Sequence, residues 1–301
     1  MSESRSFSDT SFFTGLELEQ CEQHTQIIEF EEQKKLIVLV KSNICVNHPF
    51  VVVGILMRDF YVSKEAKKIE TMLRRTFIPV MQRGKRGKNI SGSKISCTCG
   101  PHQLTGFSTT FGCTKGNKVN KCKFNVIPRV HGRQRFRLIG RNNNKSLETF
   151  LTTIAEQVSA SAKVLVPMCY SNMLNHISKA PDCQIGHSCF GGITILSDFI
   201  AHRHFDNNDF QKGTTFILSF LKESLNPQRH CLTQYSLTQG GLPGVSFSLG
   251  TNSLFMEVAA LERHASTPMI KSNPADPSRV AMVFFLHQCL DKIDHGSIQV
   301  E

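Results

Sequence analysis

Two apolar stretches stand early in the chain, Lys35-Leu-Ile-Val-Leu-Val40 and Phe50 to Met57. Both predict strands, the second a buried one. Ser63 to Arg75 has helical spacing through Ala66, Ile69, Met72 and Leu73, with Ser63 as its N-cap. Gln82 to Ser96 is rich in Gly, Lys and Ser and predicts a loop. Residues 97–125 mix Cys, Gly, Thr and Lys with little periodicity, the texture of a segment organised by metal rather than by apolar burial. Ser146 to Ser161 is the strongest helix, with Leu147, Phe150, Leu151, Ile154 and Val158 on one face. Asn172 to Ser178 predicts another. From Gly191 the pattern changes to short strands: Ile193–Phe199, Thr214–Leu221, Cys231–Leu237, Gly244–Leu249, Ser253–Val258 and Val280–His287. Strands at this spacing predict a mainly β fold with helices (α+β), a sandwich or barrel such as a jelly roll.

Composition narrows the class. Of 301 residues, 40% are hydrophobic and 20% charged, which argues for a globular chain and against disorder. The longest clean apolar run is Phe50 to Met57, far short of the roughly 20 residues a membrane span needs. The first residues are polar and carry no hydrophobic signal core, which argues against secretion. The 35 Lys and Arg outnumber the 24 Asp and Glu, giving +11. That excess is concentrated: Thr71 to Leu147 contains no acidic residue and 17 of the basic ones, so the rest of the chain is net acidic. Such segregation favours a surface that faces phosphates, against the plainer alternative of a solvated basic face.

Chemistry enters with His204-Phe-Asp206. In an extended segment the two side chains point to one side. Iron(II) oxygenases use two His and one carboxylate on one face of the metal, leaving the other positions open. His264, from a later strand, is a candidate for the second His. Fifteen residues further on is Arg279, placed to clamp a carboxylate bidentately. His, Asp, His and Arg in that order is the pattern of 2-oxoglutarate-dependent oxygenases. The chain also has eleven Cys and twelve His. Without a signal peptide these cysteines point away from disulfides and toward metal. Cys97-x-Cys99 and Cys113-x8-Cys122 lack the spacing of a local zinc finger, so distant residues would have to complete the ligand set. His202 is a natural fourth ligand, and free buried cysteines are the alternative.

Gly106-Phe-Ser-Thr-Thr-Phe-Gly-Cys113 with Lys121-Cys-Lys-Phe124, Asp198-Phe-Ile-Ala-His-Arg-His-Phe-Asp206, and Arg263-His-Ala-Ser-Thr-Pro268 with Pro277-Ser-Arg-Val-Ala-Met-Val-Phe-Phe-Leu-His287 match separate motifs in order. Through them the chain resembles the catalytic region of the TET (ten-eleven translocation) 5-methylcytosine dioxygenases, from about Cys21 to Gly296. The resemblance implies a double-stranded β-helix (jelly-roll) core joined to a zinc-binding cysteine-rich module. It divides the chain into a loose N-terminus (1–20), a basic cysteine-rich module (21–145) and a dioxygenase domain (146–301). It puts Fe(II) on His204, Asp206 and His264, and the 2-oxoglutarate carboxylate on Arg279. His230 contacts the cosubstrate, as does Arg83, with Arg86 competing for that position. Two zinc sites are implied, one on Cys113, Cys122, Cys183 and His202, the other on Cys21, Cys97, Cys99 and His295.

For the substrate, the resemblance implies a flipped base stacked on Phe285, where the family has Tyr, and contacted by His287 and by Asp209, where the family has Asn. An ionised Asp209 only accepts hydrogen bonds, so it suits the exocyclic amine of cytosine and opposes thymine; a solvated loop residue is the alternative. The implied activity is oxidation of 5-methylcytosine in double-stranded DNA to 5-hydroxymethylcytosine, with formyl and carboxyl products open. The implied setting is the nucleus of a eukaryote, with no membrane association. Two other readings stay open: the same chemistry on N6-methyladenine or methylated RNA, and a catalytically inactive methyl-DNA binder.

Overall fold

Phe50–Met57, the longest apolar run, forms a strand over those same eight residues. In the computed structural model the described residues are 25–27, 35–42, 50–86, 93–94, 107–115, 124–126, 144–197, 205–221, 231–235, 244–266, 279–288 and 290. In chain order the strands are β1 (Thr25–Ile27), β2 (Leu36–Ser42), β3 (Phe50–Met57), β4 (Ser93–Lys94), β5 (Phe107–Lys115), β6 (Phe124–Val126), β7 (Gly192–Ser197), β8 (Thr215–Leu221), β9 (Cys231–Tyr235), β10 (Gly244–Ser248), β11 (Ser253–Glu257), β12 (Arg263–Ser266) and β13 (Arg279–Phe285). The helices are α1 (Ser63–Arg86), α2 (Asn144–Leu165) and α3 (Pro167–Ile177). None of the helices, among the described residues, is long and apolar enough to cross a membrane.

The large sheet runs β2-β3-β11-β8-β13-β7-β5-β4, with β6 paired to β5, and the small sheet runs β1-β10-β9-β12. Every pairing is antiparallel except β1 with β10. Strands from before residue 146 and after it thus share one sheet. At its centre β8 is buried at all seven positions, as its unbroken apolar sequence requires. Its two faces serve different cores. Phe216, Leu218 and Phe220 meet Met282 and Phe284 of β13, together with Leu151, Ile154, Val158 of α2 and Ile69, Leu73 of α1. Ile217 turns the other way, to Phe255, Ala281 and Leu56. The helices therefore cover one face of the large sheet and leave the other to line an interior.

Two expectations need correction. The segment Gln82–Ser96 is not all loop: α1 continues through Pro79 and Gly84 to Arg86, and Ser93–Lys94 pairs with β5. Gln, Arg and Lys are good helix formers, and here they outweigh the two breakers. The segment 97–125, in which little periodicity predicted no strand, holds the nine-residue β5. Its Thr and Phe suit a pleated surface, and β7 supplies the ladder.

Candidate metal centre

His264 lies on β12, opposite Gln234 of β9, so the small sheet carries it. Its ring is buried, at 6% exposure. Nδ1 lies 3.2 Å from the carbonyl oxygen of Glu262. A carbonyl only accepts, so Nδ1 donates there, and Nε2 is the ring nitrogen that a metal would take. Asp206 comes from the loop after β7, where its N–H donates to the carbonyl of Ala259. Its Oδ2 lies 3.6 Å from His264 Nε2. Glu257, at the end of β11 in the large sheet, brings Oε1 to 4.0 Å from the same nitrogen. His204 lies outside the described residues, and among the described residues no group of three His, Cys, Asp or Glu side chains could hold a metal on its own.

The loop after Asp206 is stitched to the end of β13. Asp209 N–H donates to Asp206 O, Phe210 N–H to Leu286 O, and Gln288 N–H to Asn208 O. Asp209 and His287 form an isolated antiparallel bridge. Asp209 is buried, and its Oδ2 accepts from Thr215 Oγ1 at 2.7 Å, so it is not the solvated loop residue of the alternative reading. His287 Nδ1 donates to Asn208 O at 3.0 Å. Its ring meets Phe285 edge-on, with centroids 5.1 Å apart. His176 of α3 braces this end: its Nε2 donates to His287 O at 3.0 Å, and its ring stacks on Phe210 at 4.1 Å. Phe285 lies against Gly192, where an added Cβ would come within 2.6 Å of Cε2.

Arg279 opens β13 and is also buried. It faces the same side as Ala281, Val283 and Phe285, six residues and roughly 20 Å along the strand from Phe285. The structure thus brings Asp206 to His264 and gathers Asp209, Phe285 and His287, with Arg279 at the other end of β13. Arg83 is in α1 and Cys113 is in β5 opposite Val126. His202, His230, Cys21, Cys97, Cys99, Cys122 and His295 lie outside the described residues, as does His204.

Cys183 is fully buried and disulfide-bonded, which corrects the expectation that the cysteines stay out of disulfides. Cys169 and Cys189 are free. Burial raises both thiols, Cys189 to about 12, so neither offers a thiolate at neutral pH. Sequence reasoning passed over Glu257, Thr215 and His176. Only Glu257 left a signal, as a lone charge closing an apolar strand.

A family model, Tet_JBP, described as the oxygenase domain of the 2OGFeDO superfamily, matches residues 119–288. The chain is similar to methylcytosine dioxygenase TET of Drosophila melanogaster, 27% identical over 200 residues, which is 63% of this chain and 7% of the relative. It is similar to methylcytosine dioxygenase TET2 of Mus musculus, 32% identical over 135 residues, 42% of this chain and 7% of the relative. The match therefore spans under a tenth of the length of these curated relatives. Among solved structures, NgTET1 in complex with 5mC DNA aligns with a TM-score of 0.48 at 12% identity, covering 79% of this chain and 73% of that one.

Proposed function

The chain belongs to the Tet_JBP family of 2OGFeDO-superfamily oxygenases, and from that premise we propose that it is an Fe(II)- and 2-oxoglutarate-dependent dioxygenase acting on 5-methylcytosine in DNA. The observation that carries the reading is the approach of His264 Nε2 to Asp206 Oδ2 at 3.6 Å. An imidazole nitrogen and a carboxylate set this way fit an iron centre, and His204 would complete the facial set with Asp206 and His264. Bound iron and 2-oxoglutarate would supply the oxidation: one atom of dioxygen ends in succinate and the other in the hydroxymethyl group, with carbon dioxide released.

The chain's own residues divide the remaining work. Arg279, with His230 and Arg83, would hold the cosubstrate carboxylates. Phe285 would stack the extruded base, with His287 at the ring edge. Asp209, fixed by Thr215, would accept from the exocyclic amine of cytosine. The basic segment 71–147 would neutralise backbone phosphates. If the chain is eukaryotic, a DNA substrate would put the activity in the nucleus.

The finer architecture is read the same way. In the large sheet β7, β13, β8 and β11 are consecutive neighbours, while β9, β10 and β12 pair in the small sheet. Successive strands that move between two sheets support a double-stranded β-helix. The two zinc sets, each of three cysteines and one histidine, suit closed structural sites. The set with Cys183 requires its disulfide reduced, so that reading applies to the reduced protein.

The test is mass spectrometry of nucleosides after incubating methylated duplex DNA with the protein, Fe(II) and 2-oxoglutarate. We expect 5-hydroxymethylcytosine from the wild type and none from Asp206→Ala. Oxidation confined to N6-methyladenine or to RNA would move the substrate, and an Asp206→Ala protein that still oxidised the base would overturn the metal assignment.

A further inference from the structure

Ser219 stands in the middle of β8, at 0% exposure, and has no part in the reading above. Leu218 and Phe220 on either side of it enter the helix-covered core, and Ile217 enters the opposite one. Alternation puts Ser219 on the side of Ile217, toward the interior. The register sets it between Ala281 of β13 and Ser253 of β11. Ala281 offers only a methyl, and the Ser253 hydroxyl donates to Leu249 O. Along its own strand Ser219 is flanked on that face by Ile217 and Leu221. Among the described residues its hydroxyl has no hydrogen-bond partner. A hydroxyl kept from water in that state costs stability, and an alanine would be free of the cost. Packing therefore gives no reason for a serine here. Arg279, also buried, lies opposite Leu221, which makes it the diagonal neighbour of Ser219 on the same face. Such neighbours stand roughly 7–8 Å apart along the sheet, near enough for one small anion to meet both side chains.

We propose that Ser219 is a cosubstrate-binding residue, whose hydroxyl donates to the distal carboxylate of 2-oxoglutarate beside the Arg279 guanidinium. This rests on the iron-oxygenase reading. A carboxylate only accepts, and a guanidinium fork leaves some of its lone pairs unmet. Out of water those lone pairs need a further donor, and a hydroxyl supplies one without adding charge. Binding then satisfies both partners, because the hydroxyl gains its acceptor when the cosubstrate arrives.

The experiment adds 2-oxoglutarate to the Co(II)-loaded chain in a calorimeter, with Co(II) standing in for Fe(II), and compares wild type with Ser219→Ala. The variant should bind 2-oxoglutarate about 10- to 100-fold more weakly, the range for a lost hydrogen bond to a charged group. Its affinity for Co(II) should equal that of wild type, and its melting temperature without ligand should be the same or higher. The analogue 2-oxopentanoate, with a methyl in place of the distal carboxylate, should bind both proteins alike. A structural role would lower stability and metal affinity together with cosubstrate affinity, whereas this one lowers the last alone. Wild-type affinity for 2-oxoglutarate in Ser219→Ala would overturn the proposal and make an enclosed water the partner of the hydroxyl. Equal weakening toward both 2-oxo acids would also overturn it, as would a ligand-free variant that melted lower and held Co(II) less tightly. Each of those results leaves the iron reading standing if the wild type binds 2-oxoglutarate. If the loaded wild type bound none, the iron reading would fall and this assignment with it.

Discussion

A methyl group added at Gly192 would strike the Phe285 ring, 2.6 Å from Cε2. The ring is buried and flanked by His287, so it has little room to yield. Gly192→Ala should therefore destabilise the protein by about 1–3 kcal/mol, the usual cost of overpacking. Phe285→Ala in the same chain should return part of that loss without restoring turnover. Urea denaturation of the single and double variants measures the coupling; strictly additive effects would mean that the ring moves aside freely. Contacts of this kind were illegible in the sequence. Gly192 and Phe285 lie 93 positions apart and meet only through the pairing of β13 with β7. The nearness of Asp206 to His264 was legible from the order of His, Asp and His along the chain, and the two side chains lie 3.6 Å apart. Glu257 was not, because a single Glu in an apolar strand does not reveal which face it takes until the register is known.

At the scale of elements, apolar runs predicted β3, β8, β11 and β13 to within two residues, and the spacing of Leu151, Ile154 and Val158 predicted the buried face of α2. β12 escaped because Arg263-His-Ala-Ser266 has no apolar pattern; the ladder to β9 makes it a strand. β1, β4 and β6, of two or three residues each, are likewise strands by partnership. The turn between β10 and β11 shows how such elements are tied to helices. Asn252 has φ 51° and uses both ends of its amide on Tyr61, accepting from its N–H at 3.0 Å and donating to its carbonyl at 2.7 Å. Its own carbonyl accepts from Phe60 N–H, so the turn grips the chain just before α1. Asn252→Ala should destabilise by about 2–4 kcal/mol, combining two lost buried hydrogen bonds with left-handed strain. Asn252→Gly keeps the conformation and should be milder by about 1 kcal/mol. Thermal melts compare them; equal losses would remove the backbone part of the argument.

For the whole molecule, the candidate ligands are divided between two supports. His264 belongs to the small sheet, and Asp206 to the loop bound to the edge of the large one. The large sheet is buttressed by α1 and α2, and its central strands are buried at nearly every position. The small sheet, among the described residues, has four short strands. A cation shared by His264 and Asp206 would then act as a latch between a stiff half and a loose one. Amide hydrogen exchange would register the latch directly. With metal at about 100 times its dissociation constant, a latched opening becomes costlier by about 2.7 kcal/mol, or roughly a hundredfold in exchange rate. That slowing should fall on β9 and β12, with β8 and β13 almost unchanged because they open only when everything does. Uniform slowing along the chain would mean that metal stabilises the fold as one unit. Slowing confined to the small sheet would make the ion a hinge pin, and its loss the first step by which the interior opens.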